Sequence, residues 1–143
     1  MDRAGVPIVT SISVGQAHES RYMETTMELV SVRRPSGQRR RRPGALSGDK
    51  GYSYPRVRQW LREHGIRAII PLREDQRAKQ HRTDQVFDRT AYKERNVVER
   101  CVGRLKECRR ILTRFEKLAV NYLAMIKVGM IERLLRIGLS DRA

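Results

Sequence analysis

The sequence predicts an α/β fold, a partly parallel sheet with helices packed around it. Two observations carry that expectation. Short strand-like runs at 7–14, 45–48 and 66–70, the first and last rich in β-branched residues, alternate with helix-patterned segments at 20–30 and 53–64, the order in which crossover helices join parallel strands. Beyond them, an amphipathic helix is expected over 92–106, and an apolar stretch at 118–137 is long enough for another. At 143 residues the chain fits one domain spanning 1–143.

Each element has a local reason. Pro7-Ile8-Val9-Thr10-Ser11-Ile12-Ser13-Val14 is β-branched, partly alternating and stopped by Gly15, which reads as a strand. Ser20 is placed to cap a helix to Val30, with Tyr22, Met23, Met27 and Val30 at helical spacing. His18 reads as a loop or capping group. The segment 32–44, with six arginines and bounding Pro and Gly, reads as a mobile basic loop. Arg39, Arg40, Arg41 and Arg42 suit phosphate contacts that position DNA without reading bases, or a solvated tether.

Ala45-Leu46-Ser47-Gly48 is a short strand with Asp49 at its carboxyl end, where active groups gather in such sheets. Gly51 is expected to supply an unusual backbone angle. Ser53 caps a helix with Pro55 in its first turn, which carries Val57, Trp60 and Leu61 inward and closes near Gly65. Ile66 to Ile70 follows as a strand ended by Pro71. The segment 72–89 is polar, carries Arg73, Arg77, Lys79 and Arg82, and reads as a second basic loop. Across 118–137, Asn121, Lys127, Glu132, Arg133 and Arg136 would be costly in lipid, so a buried C-terminal helix is expected rather than a membrane span.

Lys and Arg total 31 against 16 Asp and Glu, a formal +15 that folding does not require. It points to an anionic partner, most often nucleic acid, with steeply salt-dependent binding. Charge alone does not separate a DNA enzyme from a ribosomal or nucleoid-type protein. Cys101 and Cys108 lack further ligands at zinc spacing, and two helical turns would hold them about 10 Å apart. They read as reduced core thiols of a cytoplasmic protein. Met1 to Gly5 shows no signal-peptide pattern.

Wound as one helix at about 100° per residue, 92–106 places Tyr92, Arg95, Glu99 and Lys106 within roughly 60° of one another. Gly103 and Arg110 fall beside them. Val97, Cys101, Leu105, Cys108, Leu112 and Phe115 form an apolar stripe roughly 150° away. One face therefore packs on a core, and the other sets a carboxylate among cationic and phenolic groups. Asn96 and Glu99 also fit a capping box, and any surface helix has a charged face.

The spacing Y-x-x-R-x-x-x-E-x-x-x-x-x-x-K resembles the signature around the last carboxylate of insertion-sequence DDE transposases. Ala45-Leu46-Ser47-Gly48-Asp49-Lys50-Gly51-Tyr52 resembles the segment carrying the middle aspartate of that bacterial family, and Gly15 to Ser20 resembles its connection into the following helix. The similarity runs from near Gly5 to about Ile137. It implies an RNase H-like mixed sheet with flanking and long C-terminal helices, and Mg²⁺ or Mn²⁺ held by three carboxylates. Asp49 and Glu99 match the second and third as catalytic metal ligands; Tyr92, Arg95 and Lys106 would position DNA. The first catalytic aspartate has no counterpart in this chain, since Asp2 resembles a turn residue, so the N-terminal strands and one ligand are missing.

The resemblance thus implies the C-terminal part of a transposable-element enzyme for metal-dependent DNA cleavage and strand transfer. Its partners would be element ends and target DNA, an upstream-frame transposase segment and further copies in a homo-oligomer, with no membrane, at the cytoplasmic nucleoid. Two rival classes stand beside it: a non-catalytic basic DNA-binding protein competing with the full transposase, and a structural RNA-binding protein.

Overall fold

The computed structural model of the protein describes residues 1–13, 15–77 and 87–140. The chain forms two compact units, one of Ser13–Arg95 and one of Met1–Ile12 with Asn96–Ala143.

The Ser13–Arg95 unit opens with a 3₁₀ turn, Glu19–Tyr22, that runs into helix α1, Met23–Glu28. The helix is shorter than expected, and its entrance is capped by His18 rather than Ser20. His18 Nδ1 accepts from the Ser20 backbone N–H at 3.3 Å and pairs with the Ser20 hydroxyl at 2.9 Å. Ser20 itself is buried.

The basic segment expected as a mobile loop is a β-hairpin. Strands β1, Val32–Arg33, and β2, Arg39–Arg40, pair antiparallel with Val32 opposite Arg40 and Arg33 opposite Arg39. Arg34-Pro35-Ser36-Gly37 makes the reversal: Gly37 N–H donates to Arg34 O at 2.9 Å, and Gly37 sits at φ 82°. Proline presets the first turn residue and glycine accepts the left-handed angle that closes a three-residue hairpin loop.

Strands β3, Ala45–Ser47, and β4, Arg67–Ile69, pair in parallel, with Leu46 opposite Ala68. Helix α2, Pro55–Glu63, is the crossover between them. Pro55 starts it, but Tyr54 is the N-cap and offers no side-chain bond, so Ser53 is not the cap. Gly65 lies beyond its end at φ 66°. Met23, Val57, Leu61, Ile66 and Ile70 form the core, flanked by Leu46, Tyr52, Tyr54 and Trp60. The 72–89 segment is not wholly a loop: α3, Glu74–Arg77, follows Pro71, and α4, Arg89–Lys93, starts after Asp88. Lys79 and Arg82 lie outside the described residues, as does Val14.

Two strand and helix expectations fail. Residues 7–13 form no strand, because a β-branched run becomes one only where a neighbour accepts its ladder hydrogen bonds, and Pro7 lacks an N–H to offer. The expected single helix over 92–106 is two: α4 ends at Lys93, and α5 runs Asn96–Glu107. The break falls at Glu94-Arg95, where Arg95 N–H donates to Tyr92 O at 3.0 Å and the chain turns before α5 starts.

In the second unit, α5 is followed by α6, Arg109–Leu112, and α7, Ala119–Ser140. Cys108 is extended at the joint, so the apolar stripe does not continue as drawn. The bend turns Ile111 inward and leaves Leu112 and Phe115 exposed at 58 % and 62 %. Cys101 is buried and Cys108 half-buried, and both are free thiols, as expected. Helix α7 comes close to α5 and α6 at Gly129, where a Cβ would lie 3.1 Å from both Ile111 Cδ1 and Leu105 Cδ2. It is not the buried helix expected: Val120, Val128, Ile131 and Leu135 are exposed. Among the described residues no helix is long and apolar enough to cross a membrane.

Candidate functional site

Asp49 lies two residues past the end of β3, at the carboxyl end of the parallel pair, as the sequence predicts. It is half-buried and caps a 3₁₀ turn, Lys50–Tyr52, with Oδ1 accepting from Gly51 N–H at 2.8 Å. That bond fixes the carboxylate's orientation. Gly51 serves it by its bareness rather than by an unusual backbone angle: a Cβ there would stand 2.9 Å from Asp49 Oδ1, and Gly51 is not among the positive-φ glycines.

Side chains far away in sequence brace this turn. Arg73 Nε donates to Lys50 O at 3.2 Å, and its guanidinium lies 4.2 Å from the centre of the Tyr54 ring. Tyr54 also meets His18, hydroxyl to Nε2 at 3.2 Å. Behind them Ser53 is fully buried and bonded on all sides. Its hydroxyl donates to Gln76 Oε1 at 2.6 Å and accepts from Arg58 Nη2 at 3.0 Å, while its carbonyl accepts from Gln76 Nε2 at 2.7 Å. Arg58 Nη2 reaches Ile70 O at 2.8 Å, and burial pushes its guanidinium pKa down. Tyr52 points toward Glu19, 3.5 Å from hydroxyl to Oε2. Burial, then the charges of Glu19 and Asp49, push the Tyr52 phenol up to about 12.

Glu19, Arg58, Arg73 and Gln76 were not legible as parts of this neighbourhood. Arg73 and Gln76 each sit 23 residues from their partner, a separation no local pattern reports.

The other predicted residues fall in three places. Arg39–Arg42 belong to the hairpin. Tyr92 lies on α4 and Arg95 just after it, with the Arg95 guanidinium 5.7 Å from the Tyr92 ring centre, so these two are brought together. Glu99 and Lys106 lie on α5, both exposed and two turns apart. Tyr92, Arg95, Glu99 and Lys106 therefore do not share one helical stripe, and Asp49 and Glu99 belong to different units.

Residues 1–131 match the family model described as Transposase DDE domain. The chain belongs to that family. No curated protein and no solved structure matches it. Transposase DDE domains use divalent metal ions, which oxygen donors of this transposase-family chain would have to hold. Among the described residues no group of three or more His, Cys, Asp or Glu could hold a metal ion. Asp49 nonetheless offers what Mg²⁺ prefers, carboxylate oxygens held in one orientation, with Oδ1 engaged by Gly51.

Proposed function

We propose that this chain is the C-terminal portion of the RNase H-like catalytic domain of a DDE transposase, in which both units take part. The whole enzyme would cleave DNA at element ends and join the strand to a target. Asp49 and Glu99 would be two of its three metal-binding carboxylates. The reading rests above all on Asp49, an oriented carboxylate at the end of a parallel strand, within the matched residues.

The first carboxylate would come from outside this chain. Asp2 is committed to a turn, its Oδ1 accepting from Val6 N–H at 2.9 Å and its N–H donating to Val6 O at 3.0 Å. Bound Mg²⁺ or Mn²⁺ would activate the attacking hydroxyl and stabilise the departing oxygen. This chain's own residues bind and orient. Asp49 and Glu99 supply oxygen ligands, Tyr92, Arg95 and Lys106 hold the DNA near the scissile phosphate, and Arg39–Arg42 grip its backbone. Such an enzyme works as a homo-oligomer at the nucleoid. A non-catalytic DNA-binding competitor is the second reading, favoured by the arginine hairpin.

Cleavage separates the two. The 143-residue chain, alone and fused to an upstream transposase segment carrying the first aspartate, is assayed on duplex ends with Mg²⁺. The expected result is binding without cleavage by the chain alone, cleavage by the fusion, and loss of cleavage with Asp49→Ala or Glu99→Ala while binding largely survives. A chain that cuts alone, and still cuts with both substitutions, would contradict the assignment.

A further inference from the structure

We propose that the hairpin grips one phosphate of the DNA backbone between Arg33 and Arg39, with the Ser31 hydroxyl completing the site. The proposal rests on the DNA-binding reading above and divides its arginines unequally, adding Arg33 and setting Arg40 apart.

The register decides which side chains cooperate. Arg33 lies directly opposite Arg39, so both project from one face, while Val32 and Arg40 project from the other. Arg34 N–H donates to Gln38 O at 2.8 Å, which makes 34 and 38 a hydrogen-bonded pair. The next pair, 33 and 39, is then the non-hydrogen-bonded kind, in which facing side chains come closest. Two guanidinium groups at such a position repel each other. Among the described residues no ion pair involves Arg33, Arg34 or Arg39–Arg42, so no carboxylate of the fold relieves that repulsion. An anion between them turns the repulsion into two charge-assisted bonds.

Ser31 marks the same face. Arg39 Nη1 donates to Ser31 Oγ at 3.1 Å, which points the guanidinium across the strands and leaves the hydroxyl hydrogen available as a donor. Arg40 is differently disposed. Its Nε donates to Arg42 O at 2.9 Å, and its Nη2 lies beside Gly44, so the side chain folds back on its own strand. Duplex DNA is the occupant that fits, because its phosphates are singly charged, regularly spaced and able to take several arginines at once.

The test compares single alanine variants of equal charge and then a double variant. Arg33→Ala, Arg39→Ala, the double variant and Arg40→Ala of the full chain are titrated with one duplex DNA across a salt series. We expect Arg33→Ala to weaken binding about tenfold and to lower the salt slope by about 1, with Arg40→Ala losing clearly less. The double variant should lose little more than either single one, since both side chains share one phosphate. Arg33→Glu sets a carboxylate against Arg39, so it should bind worst while melting no earlier than the parent; that result keeps a folding defect from passing as support. Equal losses for Arg33→Ala and Arg40→Ala, with additive effects in the double variant, would overturn the shared phosphate and leave DNA binding standing. A parent chain that fails to bind duplex DNA, or that prefers duplex RNA or phosphatidylserine vesicles, would overturn the underlying reading as well.

Discussion

At the scale of single residues, the Asp49 turn shows how a carboxylate is fixed by what is left out beside it. Gly51 donates its N–H to Asp49 and presents no Cβ where Oδ1 lies. Tyr52, the next residue, reports on the same surroundings. Burial first, then the negative charges of Glu19 and Asp49, hold its phenol up to about 12, against an ordinary value of 10. A raised value in the folded chain means stability fully present below about pH 10 and lost as pH rises toward 12. An ultraviolet titration of tyrosinate should therefore show one of the chain's tyrosines ionising late, and Glu19→Gln should bring it down. A Tyr52→Phe chain that still shows the late ionisation would refute the assignment.

At the scale of elements, the short helix α3 is joined to the β3–α2 connection by a single amide. Gln76 both donates to and accepts from Ser53, which has no solvent to turn to. Gln76→Ala takes the acceptor from the buried Ser53 hydroxyl, which keeps only Arg58, and the donor from its carbonyl, so thermal or urea unfolding should show a loss of about 1–3 kcal/mol. A change within about 0.5 kcal/mol would mean that the contact carries no weight. What the sequence revealed about elements follows from how local each cause is. The β3–α2–β4 unit was legible, because Pro55, Gly65 and the isoleucines at 66, 69 and 70 all act within a few residues. The hairpin was missed because its strands carry arginine where alternating apolar residues are the usual cue. Its turn signal, Arg34-Pro35-Ser36-Gly37, is present, but Pro and Gly mark a loop as readily as a hairpin turn. The spacing over 92–106 predicts one helix because side-chain periodicity passes unaltered through the turn at Glu94-Arg95. The exposure of α7 was hidden for the opposite reason: its apolar residues promise burial, whereas α5 and α6 are the helices packed against it.

At the scale of the whole molecule, the family was legible from two short blocks, and the match over 1–131 bears that out. The site's completeness was not, because a metal centre assembled from several elements is a matter of tertiary placement. Asp49 and Glu99 stand 50 positions apart and in different units. The central claim is that they act as one metal site. Mn²⁺ binding by the fused protein tests it most directly, followed by electron paramagnetic resonance in the parent, in Asp49→Asn, in Glu99→Gln and in the double variant. Each single substitution should lower affinity at least about tenfold, and the double one should lose little further, as partners in one site do. Affinity unchanged by either substitution, or losses that simply multiply, would show that the two carboxylates do not share a metal.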